Sequence, residues 1–481
     1  MPVYEFAEIR EERAAKKHMP VRKGMGERIN YWGYGKAYYF APKASYSASG
    51  DPVKELKMLV RELHKNGIEL ILEFYFPEGI RPGLVLDCIR HWVKEYHIDG
   101  VQINSDTVFT TLLASDPLLA KTKILSEYFD TGHIYDQEDQ PGFRHLMECN
   151  DDFMMKLRRF LKGDENMVND VIWALRHNSA YDGACNYITT HTGFTLWDLV
   201  SYDSKHNEEN GENNTDGPDY NYSWNCGAEG PSRKKAVMEL RRNQIRNAFL
   251  LLLTAQGTPC ILAGDEFYNS QKGNNNVYCQ DNEVGWVNWS RLKTDDSLFR
   301  YVKELIAFRK RHSCLHRKEE LKGLDRTACG IPDVSYHGES AWQVKAEVSS
   351  RQLGVLYCGV EQEAENCFAA YNMHWIPHIY ALPSPGKEKK WYLAADTRRG
   401  ILETPEPVED QKKIELEERS IALLITGKTE EDQKSRKTAE KKKATAVKNK
   451  VPLKAENGTA PEAESRDDNE GSVPFLHHHK A

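Results

Sequence analysis

His97-Ile98-Asp99-Gly100-Val101-Gln102-Ile103-Asn104 follows directly on a helical pattern at 86–96 and sets an apolar run behind a turn pair. Such a run reads as a buried parallel strand. Asn104 then stands at the strand's carboxyl end, where α/β barrels place their chemistry. The same alternation extends outward from this octet. Upstream, residues 53–66 follow helical spacing behind an N-cap at Asp51 or a nearby residue, and Gly67 stops them. A strand at 68–76 and a short connection at 77–82 lead into the helix 84–96. Downstream come strands at 122–128 and 144–149, then a helix before the strand 185–190, and a helix at 235–254 that delivers the strand 259–263. This βαβα order predicts a parallel sheet closed as a barrel.

After a helix at 297–312 the pattern changes to short strand-like segments at 341–344, 352–357, 367–371 and 421–425, which predict a small antiparallel β-domain. The expected organisation is a barrel over 1–315, a C-terminal β-sandwich over 316–428 and a charged, disordered tail over 429–481. That tail is a candidate docking element for a protein partner. The triplet His477 to His479 is too short to read as a metal site.

A chain of 481 residues with 40% hydrophobic and 10% aromatic residues can bury a large core. A net charge of -7 speaks against a nucleic-acid partner or an anionic membrane surface. The ten cysteines form no CxxC pair, and Cys185 and Cys260 sit in apolar runs where buried free thiols are expected. No signal peptide or membrane span is visible, so the expected setting is reducing and cytoplasmic. No phosphate loop, HExxH or dinucleotide glycine pattern is present; neither cofactor nor metal is expected.

The stretches Asn30-Tyr-Trp-Gly-Tyr, Gly193-Phe-Thr-Leu-Trp-Asp-Leu-Val-Ser-Tyr and Lys205-His-Asn-Glu-Glu-Asn-Gly-Glu-Asn-Asn are distinctive. So are Ser223-Trp-Asn-Cys-Gly, Gln256-Gly-Thr-Pro, Gly264-Asp-Glu-Phe and Gly273-Asn-Asn-Asn-Val-Tyr-Cys-Gln-Asp-Asn-Glu. Together they resemble the glycogen-debranching or isoamylase-type members of the α-amylase superfamily of glycoside hydrolases, over residues 1–426. The resemblance implies a (β/α)8 TIM-type barrel with a small C-terminal antiparallel β-domain. Residues 1–6, MPVYEF, resemble the family's second barrel strand, which implies that the first strand is lacking. The excursion after strand 3 is shortened to residues 79–83.

Retaining glycosidases need two carboxyls about 5–5.5 Å apart, one to attack the anomeric carbon and one to protonate the leaving oxygen. The family's pattern at this stretch reads roughly Val-Asp-Gly-Phe-Arg-Phe-Asp, so the resemblance puts Gln102 at the arginine and Asn104 at the nucleophile. Glu127, in Lys123-Ile-Leu-Ser-Glu-Tyr-Phe-Asp, matches the acid/base. Thr192, after His191, stands at the third carboxylate. Asp106 lies two residues past Asn104, a rise of roughly 6–7 Å along a strand, and is too far to substitute. Glu73 takes the place of a structural aspartate, while Pro77 and Glu78 replace an Asn-His pair. An uncharged amide is a poor nucleophile and cannot stabilise an oxocarbenium-like centre.

His191, Gln102, Tyr31, Trp32 and Trp224 are the candidate sugar-binding side chains, with Tyr34, Trp197, Tyr222 and Asn274 to Asn276 as further aromatic and amide surface. Three functions stay open. The chain is an inactive or impaired homologue that binds branched α-glucan (glycogen or limit dextrin), an active α-1,6-glucosidase using Glu127, or a structural or regulatory partner of a true debranching enzyme.

Overall fold

The structure, a computed structural model, describes residues 2–428 except 9–28, 36, 105–106, 136–140, 142, 327, 360–363 and 387. Asp106, the tail at 429–481 and its histidine triplet lie outside the described residues.

Local signals set the helices that frame the parallel sheet. Helix α1 (Pro52–Lys65) starts where the Asp51 carboxylate accepts from the Lys54 amide, carries Pro52 at its first position and ends ahead of Gly67 at φ +68°. Helix α2 (Pro82–Tyr96) buries Val85, Cys88, Ile89, Trp92 and Tyr96, the spacing of one helical face. Each such apolar side chain contributes about 1.5–3 kcal/mol on burial. Trp92 also donates its Nε1–H to the Tyr39 carbonyl at 2.6 Å.

Six parallel strands follow one another in consecutive order: β3 (Ile71–Phe74), β4 (Gly100–Ile103), β5 (Lys123–Ser126), β6 (Leu146–Asn150), β7 (Gly183–Asn186) and β8 (Thr258–Pro259). Gln102 stands beside Leu125 and Cys149 beside Cys185 in this register. Helix α5 (Asp151–Lys162) follows β6 directly, capped by Asn150, whose side chain accepts from the Phe153 amide. Asp151 and Asp152 sit in its first turn, favourable to the helix dipole, and Gly163 at φ +89° ends it. No helix among the described residues is long and apolar enough to cross a membrane.

The N-terminal strand departs from expectation. β1 (Tyr4–Phe6) pairs antiparallel with β2 (Ala37–Pro42) and is not a rung of the parallel sheet. The physical reason is Tyr4: its side chain, not its backbone, meets β3's end. The Tyr4 hydroxyl donates to the Tyr75 carbonyl at 3.2 Å and accepts from the Tyr75 amide at 3.1 Å.

Helix α8 (Lys235–Thr254) occupies the predicted span and, through buried polar groups, ties α5 to the turn that precedes the last strand of the chain's C-terminal sheet. Gln244 donates to the Leu161 carbonyl at 2.7 Å and Asn247 to the Arg419 carbonyl at 2.8 Å. Beyond α10 (Ser297–Arg311) lies a six-stranded antiparallel sheet of β9 (Val334–His337), β10 (Gln352–Tyr357), β11 (Cys367–Asn372), β13 (Lys389–Asp396), β14 (Gly400–Pro407) and β16 (Ser420–Lys428). The pair β12 (His378–Ala381) and β15 (Lys413–Leu416) covers it, with Phe368, Tyr380, Trp391 and Leu416 between. The expected strand at 341–344 is instead a turn holding only a Ser340–Gln343 bridge, because Trp342 takes φ +66°.

Glu148 on β6 is half-buried, and burial together with the neighbouring Asp182 pushes its carboxyl up to about 7. A carboxyl raised above its unfolded value stabilises fully below pH about 4.5 and loses that contribution as pH rises through about 7. Glu148→Gln is therefore expected to flatten the fall in urea midpoint between pH 5 and 8. Parallel curves for variant and parent would show that Glu148 carries no such load.

Candidate functional site

The carboxyl ends of all six parallel strands converge on one cavity of about 430 Å3. Glu73, Asn104, Glu127, Asp151, Tyr187 and Cys260 come to it one from each strand end. The strand-end position of Asn104 and Glu127 corresponds to a concavity at the carboxyl edge of the parallel sheet.

Asn104 is the deciding side chain. Its Oδ1 accepts from the Phe76 amide at 2.9 Å, and its Nδ2 donates to the Phe76 carbonyl at 2.9 Å. The amide therefore acts as a peptide mimic that continues the β3–β4 ladder one step past the strands. Only a group with one acceptor and one donor on the same fork can do this; a carboxylate is acceptor-only. Glu127 lies level with Asn104, since both stand two residues beyond the Gln102–Leu125 register pair. It is exposed and lines the cavity. Gln102 lines the cavity as well.

Thr192 reaches the cavity edge, its hydroxyl 3.0 Å from that of Thr190. His191 is tied into a relay. Tyr34 donates its only hydroxyl proton to Glu73 Oε1, so the His191 Nε2, 2.6 Å from the Tyr34 oxygen, is the protonated nitrogen of the ring. Burial holds the His191 imidazole below its ordinary value, and the Glu73 carboxylate opposes that shift. Burial and the same carboxylate push the Tyr34 phenol far up. Trp32 packs edge-on against His191 with ring centroids 5.1 Å apart and is itself buried.

Three of the five predicted sugar contacts, Tyr31, Trp32 and Trp224, do not line this cavity. Tyr31 joins the Trp32, Val277 and Val284 cluster, and its amide donates to the Tyr278 carbonyl at 2.9 Å. Trp224 carries the Arg419 guanidinium over its ring at 4.8 Å and packs on the core shared with the C-terminal sheet. Asp151 and Tyr187, which sequence reasoning passed over, face each other here, the Tyr187 hydroxyl donating to Asp151 Oδ1 at 2.8 Å. Cys260, expected to be buried, is exposed at the cavity because β8 ends at Pro259, one residue before it. Among the described residues no group of three or more His, Cys, Asp or Glu side chains is placed to hold a metal ion.

No family model matches the chain. Over 483 aligned positions it is 31% identical to chloroplastic isoamylase 3 of Oryza sativa subsp. japonica, covering 85% of this chain and 59% of that protein. Over 467 positions it is 30% identical to a glycogen operon protein GlgX homolog of Mycobacterium bovis, covering 79% and 64%. The chain belongs to the debranching branch of the α-amylase superfamily. This superfamily member spans about 60% of the length of those two curated relatives. A solved pullulanase from Bacillus acidopullulyticus shares its fold, with a TM-score of 0.62 at 18% identity over 88% of this chain and 53% of that one.

The superfamily-like motifs have visible structural work around the cavity. Asp265 of Gly264-Asp-Glu-Phe is buried, accepts from the Thr189 hydroxyl and from the Leu196 amide at 2.8 Å, and so anchors both ends of the segment carrying His191 and Thr192. Burial pushes its carboxyl up to about 7. Asp198 of the Leu-Trp-Asp-Leu stretch holds Ser270 Oγ at 2.6 Å and the Gln271 amide at 2.7 Å. Asn275 sits in a buried amide network that ties residues 207–221 to 274–280.

Proposed function

We propose that the chain is an α-glucan-binding member of the debranching family that does not cleave its ligand, acting on branched glucan such as glycogen or limit dextrin in the cytoplasm. The observation that carries this reading is the two-point bond between Asn104 and the Phe76 backbone. A nucleophile has to present an anionic oxygen to the anomeric carbon, and here both arms of the side chain are spent on the strand next door. Glu127 keeps the acid/base position, and position 104 offers an amide where double displacement needs a second carboxylate. Gln102 in place of the arginine is consistent with this, because a guanidinium without its anion is costly to bury.

The Tyr34–His191–Glu73 relay beside Trp32 supports retained sugar recognition: an imidazole fixed through Nε2, whose Nδ1 is an acceptor, with aromatic edges suits hydroxyl-rich, C–H-faced rings. In native gels containing glycogen the chain is expected to be retarded, and His191→Ala to lose part of that retardation. Unaltered mobility of the parent over a range of glycogen concentrations would remove the binding claim.

A further inference from the structure

Neither hydrolysis nor glucan binding uses the sulfur chemistry of the same cavity. Three thiols from three neighbouring strand ends line it: Cys149 from β6, Cys185 from β7 and Cys260 just past β8. Cys149 and Cys185 are register partners on adjacent parallel strands and are buried in one small cluster with Leu125 and Tyr187. The Cys260 amide donates to the Asn186 carbonyl at 2.7 Å, and its thiol is hydrogen-bonded to that of Cys185. Cys149 and Cys185 are buried, whereas Cys260 is exposed to the cavity. The three therefore differ in access although they share one wall.

They differ in ionisation too. A hydrogen bond from Cys185 brings the Cys260 thiol down to about 7, against the burial that opposes it. Hydrogen bonds with Cys149 and Cys260, and burial, push the Cys185 thiol far up. The accessible sulfur is shifted toward its thiolate and its buried neighbour toward the protonated thiol, the division of labour between an attacking and a resolving cysteine.

We propose that Cys260 is a nucleophilic thiol that exchanges with low-molecular-weight disulfides entering the cavity, with Cys185 as its resolving partner. The Cys260 thiolate attacks one sulfur of the disulfide; a Cys260–sulfur bond forms, the disulfide's own bond breaks, and one thiolate leaves with the electron pair. Cys185 then gives up its proton to that thiolate and attacks the Cys260 sulfur. The Cys185–Cys260 bond forms and the second small thiolate departs, taking a proton from solvent. The protein dithiol is oxidised by two electrons, and one disulfide is reduced to two thiols.

The test is incubation of the full chain with oxidised glutathione followed by non-reducing peptide mapping. A peptide joining Cys185 to Cys260 is expected, and Cys185→Ala should stop the reaction at a glutathionyl adduct on Cys260. Because Cys329 and Cys358 lie 3.5 Å apart outside the cavity, any disulfide between them is scored as a separate peptide. Iodoacetamide alkylation of Cys260 at pH 7 should slow by about tenfold in Cys185→Ala, the thiolate fraction lost on returning to an ordinary thiol. Cys260→Ser, at an exposed position, should abolish both products. A Cys260 that remains unmodified while other thiols react, or that alkylates equally fast with and without Cys185, would overturn the proposal.

Discussion

Asn104→Asp is expected to lower stability by about 1–3 kcal/mol and to release no reducing sugar from glycogen. The substitution is nearly isosteric, so shape is not the issue. The carboxylate keeps an acceptor for the Phe76 amide but loses the Nδ2–H that now satisfies the Phe76 carbonyl at 2.9 Å. An anionic oxygen then faces a carbonyl oxygen at the end of β3, a repulsion added to a lost bond. Adding Thr192→Asp should cost little more, within about 0.5 kcal/mol, since Thr192 is exposed and its hydroxyl meets only Thr190 among its described hydrogen bonds. Urea titration reads the stability change. A midpoint unchanged by Asn104→Asp would show that the Phe76 clamp does not hold position 104, and hydrolysis by the double variant would show that the site lacks only its charges.

The largest loss of stability is expected from Asn275→Ala, at about 3 kcal/mol or more. Asn275 is fully buried and makes four hydrogen bonds. Its amide donates to Asn207 Oδ1 at 2.9 Å, its Oδ1 accepts from Asn207 Nδ2 at 2.8 Å, and its Nδ2 serves both the Pro218 carbonyl at 2.8 Å and Asn221 Oδ1 at 2.9 Å. Truncation removes three side-chain bonds at about 0.5–1.5 kcal/mol each and takes from the buried Asn221 Oδ1 its described partner at about 1–3 kcal/mol more, while Asn207 Nδ2 keeps the Asp216 carbonyl at 2.9 Å and the Pro218 carbonyl keeps Asn221 Nδ2 at 3.4 Å. The damage should be local first: limited proteolysis is expected to open residues 205–221 before the sheets unfold. Gly217, at φ +70°, belongs to the same device, because a Cβ there would lie 2.4 Å from Asn275 Oδ1. A variant that unfolds at the parental midpoint and resists protease equally would mean that this network is dispensable.

What the sequence disclosed depended on how local the determining interactions are. Helix α8 was readable to the residue because twenty residues of helical pattern need no distant partner to declare themselves. The parallel strands were found with ends too generous: residues 68–76 shrink to Ile71–Phe74, since alternation continues into segments that leave the ladder. Tyr4–Phe6 was read as a strand, but its partner was not legible, because a tyrosine hydroxyl rather than a backbone rung meets Tyr75. Strands β13 and β14 escaped notice; the latter ends in Glu-Thr-Pro-Glu-Pro, a composition that fits an edge strand and hides it from any apolar pattern.

At the site, position 104 was legible as a departure, but its new employment was not, for nothing at Phe76 signals a side-chain partner 28 residues away. Trp224 looked like a sugar platform and is a seat for Arg419. The thiol wall had no signature at all: Cys149, Cys185 and Cys260 meet only after three strands take their register.

The most direct test is the release of reducing ends from β-limit dextrin by the purified chain, beside Glu127→Gln. No release above the buffer blank is expected for either protein. Release by the parent that Glu127→Gln abolishes would show a working glycosidase and contradict the assignment of Asn104 to structure alone.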